Sequence, residues 1–122
     1  MSTSKLSARQ QAQLAWLDSL PPRFERFHKT IELMAVLQAD EVAVRAMARH
    51  LDELKVQAQG MGMHSMSDAA GIMAMLTRRG GGLQMRVRGL RDGLANLRIN
   101  FEGARRQAST PEGDAAGAGP AS

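Results

Sequence analysis

Asp52 and Lys55 stand three residues apart in the run A-R-H-L-D-E-L-K-V-Q-A-Q-G, residues 48–60. On a helix that spacing makes them neighbours on one face. A lysine so placed can offer charge-assisted hydrogen bonds to an anion, while the carboxylate beside it repels one. The chain has three histidines. His50 lies two residues from Asp52, roughly 200° around a helix, so it cannot share that surface. It borders the apolar stripe and is expected to be partly buried. His28 is expected on the surface of an earlier helix. His64 falls in or beside a turn, which holds a side chain less rigidly than a helix does. Met61-x-Met63-His64-x-Met66 gathers thioether and imidazole donors that suit Cu(I). Alternate residues near a helix end do not point one way, however, and Met61 and Met66 fit the core pattern, so packing is the expected role.

The absence of cysteine excludes disulfides and thiolate chemistry. The sequence shows no Gly-rich phosphate loop, nucleophile triad or metal-ligand spacing. Gly80-Gly81-Gly82 reads as a linker, with no Lys-Ser/Thr after it. A non-enzymatic chain without metal or cofactor is expected.

A second charged feature is a run of arginines. From Arg78 to Arg106 eight arginines face only Asp92 and Glu102, although the whole chain carries +4. Arg88, Arg91, Arg98 and Arg105 each follow an apolar residue of the last helix by one position, forming a basic strip along one flank. Arg78, Arg79, Arg86 and Arg106 add charge nearby. Such a strip can bind the phosphates of a nucleic acid. No groove-reading motif or stacking aromatic accompanies it, and an acidic protein surface is the other partner it would steer.

The elements that must position these residues are helices. In 122 residues, 43% are hydrophobic but only 3% aromatic, and nine are Met. A core of Leu, Met, Ala and Val suits helices better than sheet. The central helix carries Val44, Met47, Leu51, Leu54, Ala58 and Met61 as a one-sided stripe. Arg45, Arg49, Asp52, Lys55, Val56 and Gln59 lie on its opposite, solvent-facing side. Asp40 is the expected N-cap, and Gly60 and Gly62 end the helix. Before it, a short helix is expected over Ala8–Leu20. A second runs from Pro22 to Gln38, with the stripe Phe24, Phe27, Ile31, Met34 and Leu37. After it, Ser65 and Asp68 give a start signal for a helix with Met66, Ala69, Ala70, Met73 and Leu76 inside. The last helix, Leu83–Gln107, has Leu83, Val87, Leu90, Leu94, Leu97 and Phe101 at alternating four and three spacing. These elements predict an all-α, up-down-up-down four-helix bundle over residues 8–107, with a short N-terminal helix. Residues 1–7 read as a flexible N-terminus and 108–122 as a disordered tail. The first residues lack the apolar core of a signal peptide, and no run approaches about 18 apolar residues. A cytoplasmic protein is expected.

From Asp52, the run D-E-L-K-V-Q-A-Q-G-M-G-M-H-S-M resembles the core of the histidine phosphotransfer (HPt) domain family, whose pattern is H-x-L-K-G-x-A-x-x-x-G-x-x-x-L. Leu54, Lys55, Ala58 and Gly62 match, Met66 stands for the leucine, and Ala70 and Met73 fit the next helix. The resemblance implies the bundle fold and docking to a response-regulator receiver domain or a histidine kinase in a phosphorelay. It departs from the family at the chemistry. Asp52 occupies the place of the phosphorylated His, and Val56 that of a small Gly. The expectation is therefore a pseudo-phosphotransfer module of two-component signalling, acting by protein–protein interaction as adaptor or competitor. Its docking face would be Arg45, Arg49, Asp52, Lys55, Val56 and Gln59, with no membrane partner. The alternative is a basic bundle that binds nucleic acid through Arg88, Arg91, Arg98 and Arg105.

Overall fold

The computed structural model describes residues 5–79 and 81–111. Among them are five helices and no strand: α1 (Ala8–Asp18), α2 (Pro21–Ala35), α3 (Glu41–Gly60), α4 (His64–Arg78) and α5 (Leu83–Ala108). No helix there is long and apolar enough to cross a membrane. The contacts α2–α3, α3–α4, α4–α5 and α5–α2 close a ring of four helices, and α1 lies against α5. This is a four-helix bundle with one added helix.

Each helix buries the stripe its spacing defines. Phe24, Phe27, Ile31 and Met34 of α2 meet Met47, Leu51, Leu54 and Ala58 of α3 in one core. Met66, Ala69, Ala70 and Met73 of α4 and Val87, Leu90, Leu94, Leu97 and Phe101 of α5 complete it. Each large apolar side chain taken fully out of water contributes about 1.5–3 kcal/mol, so these stripes are the main source of stability. Phe24 and Phe101 meet edge to face, 5.2 Å between ring centres, and pin α2 to α5. The α4–α5 approach is close enough to require glycine: a Cβ on Gly93 would lie 2.7 Å from Met73 Cγ.

The helix ends explain where the boundaries fall. Ser7 accepts from the Gln10 backbone N–H, and the Gln10 side chain accepts from Ser7 N–H, a reciprocal cap on α1. Residues 1–4, the rest of the expected flexible N-terminus, lie outside the described residues. Pro21 and Pro22 open α2, where a missing N–H costs nothing. Asp40 accepts from the Ala43 N–H at 2.6 Å and caps α3, as its position predicts. At the far end of α4, the Arg86 guanidinium donates to the Leu76 and Thr77 carbonyls, which would otherwise lack partners.

Three sequence expectations need correction. First, α2 stops at Ala35 rather than Gln38, because Leu37 adopts a left-handed φ of 61°. Leu37 is then 81% exposed, not the fifth core position of its stripe. Second, α4 starts at His64 and its N-cap is Met63, so Ser65 and Asp68 are not a capping pair. Gly62, at φ 77°, lets the chain turn at once, and Ser65 is already helical. Third, α1 ends at Asp18, and Leu20, fully buried, leads directly into α2. In the expected tail, Ala108 still belongs to α5 and is buried, while residues 112–122 lie outside the described residues.

Candidate docking site

The second half of α3 lies along α4, and the seam leaves an open groove of about 900 Å³ on the bundle surface. Asp52 and Lys55 line it from α3, Asp68, Gly71, Ile72, Met75 and Arg78 from α4, and Arg79 from just beyond the end of α4. The Ser67 hydroxyl donates to the Lys55 carbonyl at 3.0 Å, fixing the register of the two helices. Val56, Ile72 and Met75 are exposed on this side. The surface is therefore apolar with a charged centre, a composition that favours protein contact over solvent.

Asp52 does not pair with Lys55, the neighbour that helix spacing favours. Its carboxylate instead accepts from both terminal nitrogens of Arg78, 26 residues on, one bond at 3.2 Å and the other shorter. The fork of a guanidinium matches the two carboxylate oxygens, which an ammonium cannot do. The Arg78 hydrogen bonds hold the Asp52 carboxyl below its usual titration range and raise Arg78 above its own. Both groups are about half exposed, so the pair adds little to stability and mainly fixes where the charges sit. Lys55 is freed to lie over Gly71: a Cβ there would be 3.2 Å from Lys55 Cδ and 3.5 Å from Nζ.

The six α3 residues expected to form one face divide between two places. Asp52 and Lys55 line the groove and Val56 is exposed beside it. Arg45, seven residues earlier, lines a separate cleft with Met34, Leu37, Glu41 and Leu83, and pairs with Glu41 at 3.8 Å. Arg49 and Gln59 are exposed but line neither hollow. The α4 side of the groove was missed by sequence reasoning. Its signal was a second stripe, Asp68, Ile72, Met75 and Arg79, at spacings of four, three and four beside the buried one.

His50 corrects an expectation. It is exposed, with its Nδ1 3.5 Å from Glu53 of the same helix, rather than partly buried against the core. The reason is geometric: Leu51 and Leu54, both fully buried, take the inward direction. His28 is exposed, as expected. His64 begins α4 and is exposed, lining a hollow at the other end of the bundle with Arg9 and Arg106. Met66 is spent in the core, while Met61 and Met63 are half-buried. Among the described residues no group of three or more His, Cys, Asp or Glu could hold a metal ion.

The arginine strip of α5 is largely neutralised within the molecule. Arg91 donates to both oxygens of Glu32 on α2, at 2.8 and 2.6 Å, which lowers the titration of Glu32. Arg98 donates to Glu25 at 3.0 Å while its guanidinium sits 5.7 Å from the Phe24 ring centre. Arg105 donates to Asp18 at 3.0 Å. Of the four, Arg88 alone has no ion pair among the described residues. The flank read as an anion-binding surface is the flank that faces α1 and α2, whose acids it meets.

No family model matches the chain, and no curated protein or solved structure is significantly similar to it.

Proposed function

We propose that this chain is an HPt-like interaction module of two-component signalling, an up-down-up-down bundle that binds a receiver domain or histidine kinase in the cytoplasm without passing phosphate. The observation that carries the reading is the state of Asp52. At the place where the resembling family has a nucleophilic imidazole, this chain has a carboxylate held at both oxygens by Arg78. An ionised carboxylate in a guanidinium fork has neither the neutrality nor the freedom to attack an aspartyl phosphate. Around it remain the parts a docking surface needs: exposed Val56, Ile72 and Met75, with Lys55 and Arg79 to meet an acidic partner. Such a module acts as an adaptor, or competes with genuine phosphotransfer partners.

The test mixes receiver domains from the same genome, charged with labelled phosphate, with this protein and follows both label and complex. A complex without label on this chain is the expected result. Label on this chain would overturn the role given to Asp52 and turn attention to His64 or His50. Asp52→Arg and Lys55→Glu should each weaken the complex while leaving helicity and Tm nearly unchanged. If both bind as wild type does, the groove is not the docking surface. The pairing of Arg91, Arg98 and Arg105 with acids counts against the nucleic-acid alternative.

A further inference from the structure

Two helices of this bundle end in the same hydrogen-bonded turn. At the end of α3, Met63 N–H donates to Ala58 O at 2.8 Å and Gly62 N–H to Gln59 O at 3.0 Å. At the end of α2, Gln38 N–H donates to Leu33 O at 2.8 Å and Leu37 N–H to Met34 O at 3.1 Å. Both turns require one left-handed residue. The first supplies Gly62 at φ 77°, the residue that adopts it without a steric penalty; the second supplies Leu37 at φ 61°. A Cβ in that conformation crowds the following carbonyl oxygen. The fold gains no burial in exchange, since Leu37 is 81% exposed. A strained, apolar, outward-facing residue is a sign that its side chain is used elsewhere.

Its surroundings support that use. Leu37 lines a cleft of about 340 Å³ with Met34, Val44 and Leu83, and Glu41 and Arg45 also border it. Val36, Val42 and Met85, each close in sequence to these residues, are exposed as well.

The charges of the cleft select its occupant. Arg86 also lines it, but its guanidinium is engaged by the Leu76 and Thr77 carbonyls. Glu41 and Arg45 carry both signs, are 3.8 Å apart and are 91% and 66% exposed, so each is available to an outside partner. A surface with one exposed acid and one exposed base beside a knob and a hollow is complementary to itself under a two-fold rotation. We propose that this end of the bundle is a self-association surface, with Leu37 of each copy entering the other's cleft and Glu41 meeting Arg45 across the two-fold axis. This surface is separate from the α3–α4 groove and independent of what docks there.

Sedimentation equilibrium of the full chain, from micromolar to about 0.5 mM, tests it directly. Wild type should show a monomer–dimer equilibrium. Leu37→Gly and Leu37→Lys should each weaken it at least tenfold. Leu37→Gly should also raise the Tm of the dilute monomer, which separates lost association from lost folding. Glu41→Arg should weaken the dimer, and adding Arg45→Glu should restore it, whereas Val56→Lys in the groove should leave it unchanged. A strictly monomeric wild type at the highest concentration would overturn the proposal, and so would association unaffected by both Leu37 changes. Loss of association in Val56→Lys would assign the contact to the groove and likewise overturn it.

Discussion

Arg78, in the last turn of α4, holds both carboxylate oxygens of Asp52, in the middle of α3. The fork lowers the titration of Asp52, and that of Arg91 does the same for Glu32. A carboxyl that titrates lower in the folded state adds stability that is complete above its unfolded pKa and lost as pH falls through its folded one. Stability should therefore be level above about pH 5 and fall as the solution is acidified below about pH 4. Carboxyl carbon NMR checks the cause: the Asp52 midpoint should return upward in Arg78→Ala, while that of Glu32 stays where it was.

If the proposed HPt-like reading holds, installing that family's pattern in this chain should confer its chemistry. In Asp52→His with Val56→Gly, an imidazole nitrogen can attack the receiver's aspartyl phosphate, forming an N–P bond as the aspartate oxygen leaves. Arg78, released from Asp52, and Lys55 would meet the transferred phosphoryl oxygens. The doubly substituted protein should take up acid-labile label from a phosphorylated receiver, and wild type should not. No uptake by the variant would mean that the groove does not present this position to a receiver's phosphate.

The α5 arginines make a quantitative prediction about nucleic acid. Wild type should bind generic duplex DNA weakly, with a shallow salt dependence. Asp18→Asn, Glu25→Gln and Glu32→Gln together release Arg105, Arg98 and Arg91. The slope of log K against log salt should then steepen by about 2–3, because each released cation can neutralise one phosphate. A steep slope already present in wild type would show that the ion pairs do not hold the strip.

The tightest glycine among the described residues and one with open space around it give a matched test of packing. Gly93→Val should destabilise by about 1–3 kcal/mol, because Met73 blocks the added atoms and is itself fully buried. Gly103 has open space where a Cβ would lie. Gly103→Ala should therefore stabilise by about 0.5–1 kcal/mol, through helix propensity alone. Urea unfolding of both variants, with unchanged slopes, checks the pair.

What was legible in the sequence was the one-sided spacing of apolar residues. It found the buried faces of α2, α3, α4 and α5, because burial repeats with the helical period. It failed at Leu37, where the α2 pattern continues but the backbone has already left the helix. Nothing in a hydrophobic period distinguishes a core leucine from one in a left-handed turn. It failed again at Asp52. Sequence offers Lys55 as partner three residues away, while Arg78 becomes available only once α4 folds back along α3. The α5 strip was legible as positive charge, but not as spent charge, for the same reason: its acids lie 59 to 87 residues away. Local chemistry was readable, and the pairing across helices was not.

The first helix is tied down by side chains from its inner side. Gln10 donates to Thr110 O, Gln13 to Met61 O and the Trp16 indole N–H to the Gln57 side chain at 3.0 Å. Gln57 also accepts from Arg23 of α2, so one amide on α3 joins three helices. Trp16 is the chain's single tryptophan. Its emission is accordingly a private optical channel for α1: a red shift before the loss of helical circular dichroism would time the peeling of α1 from a bundle that is still closed.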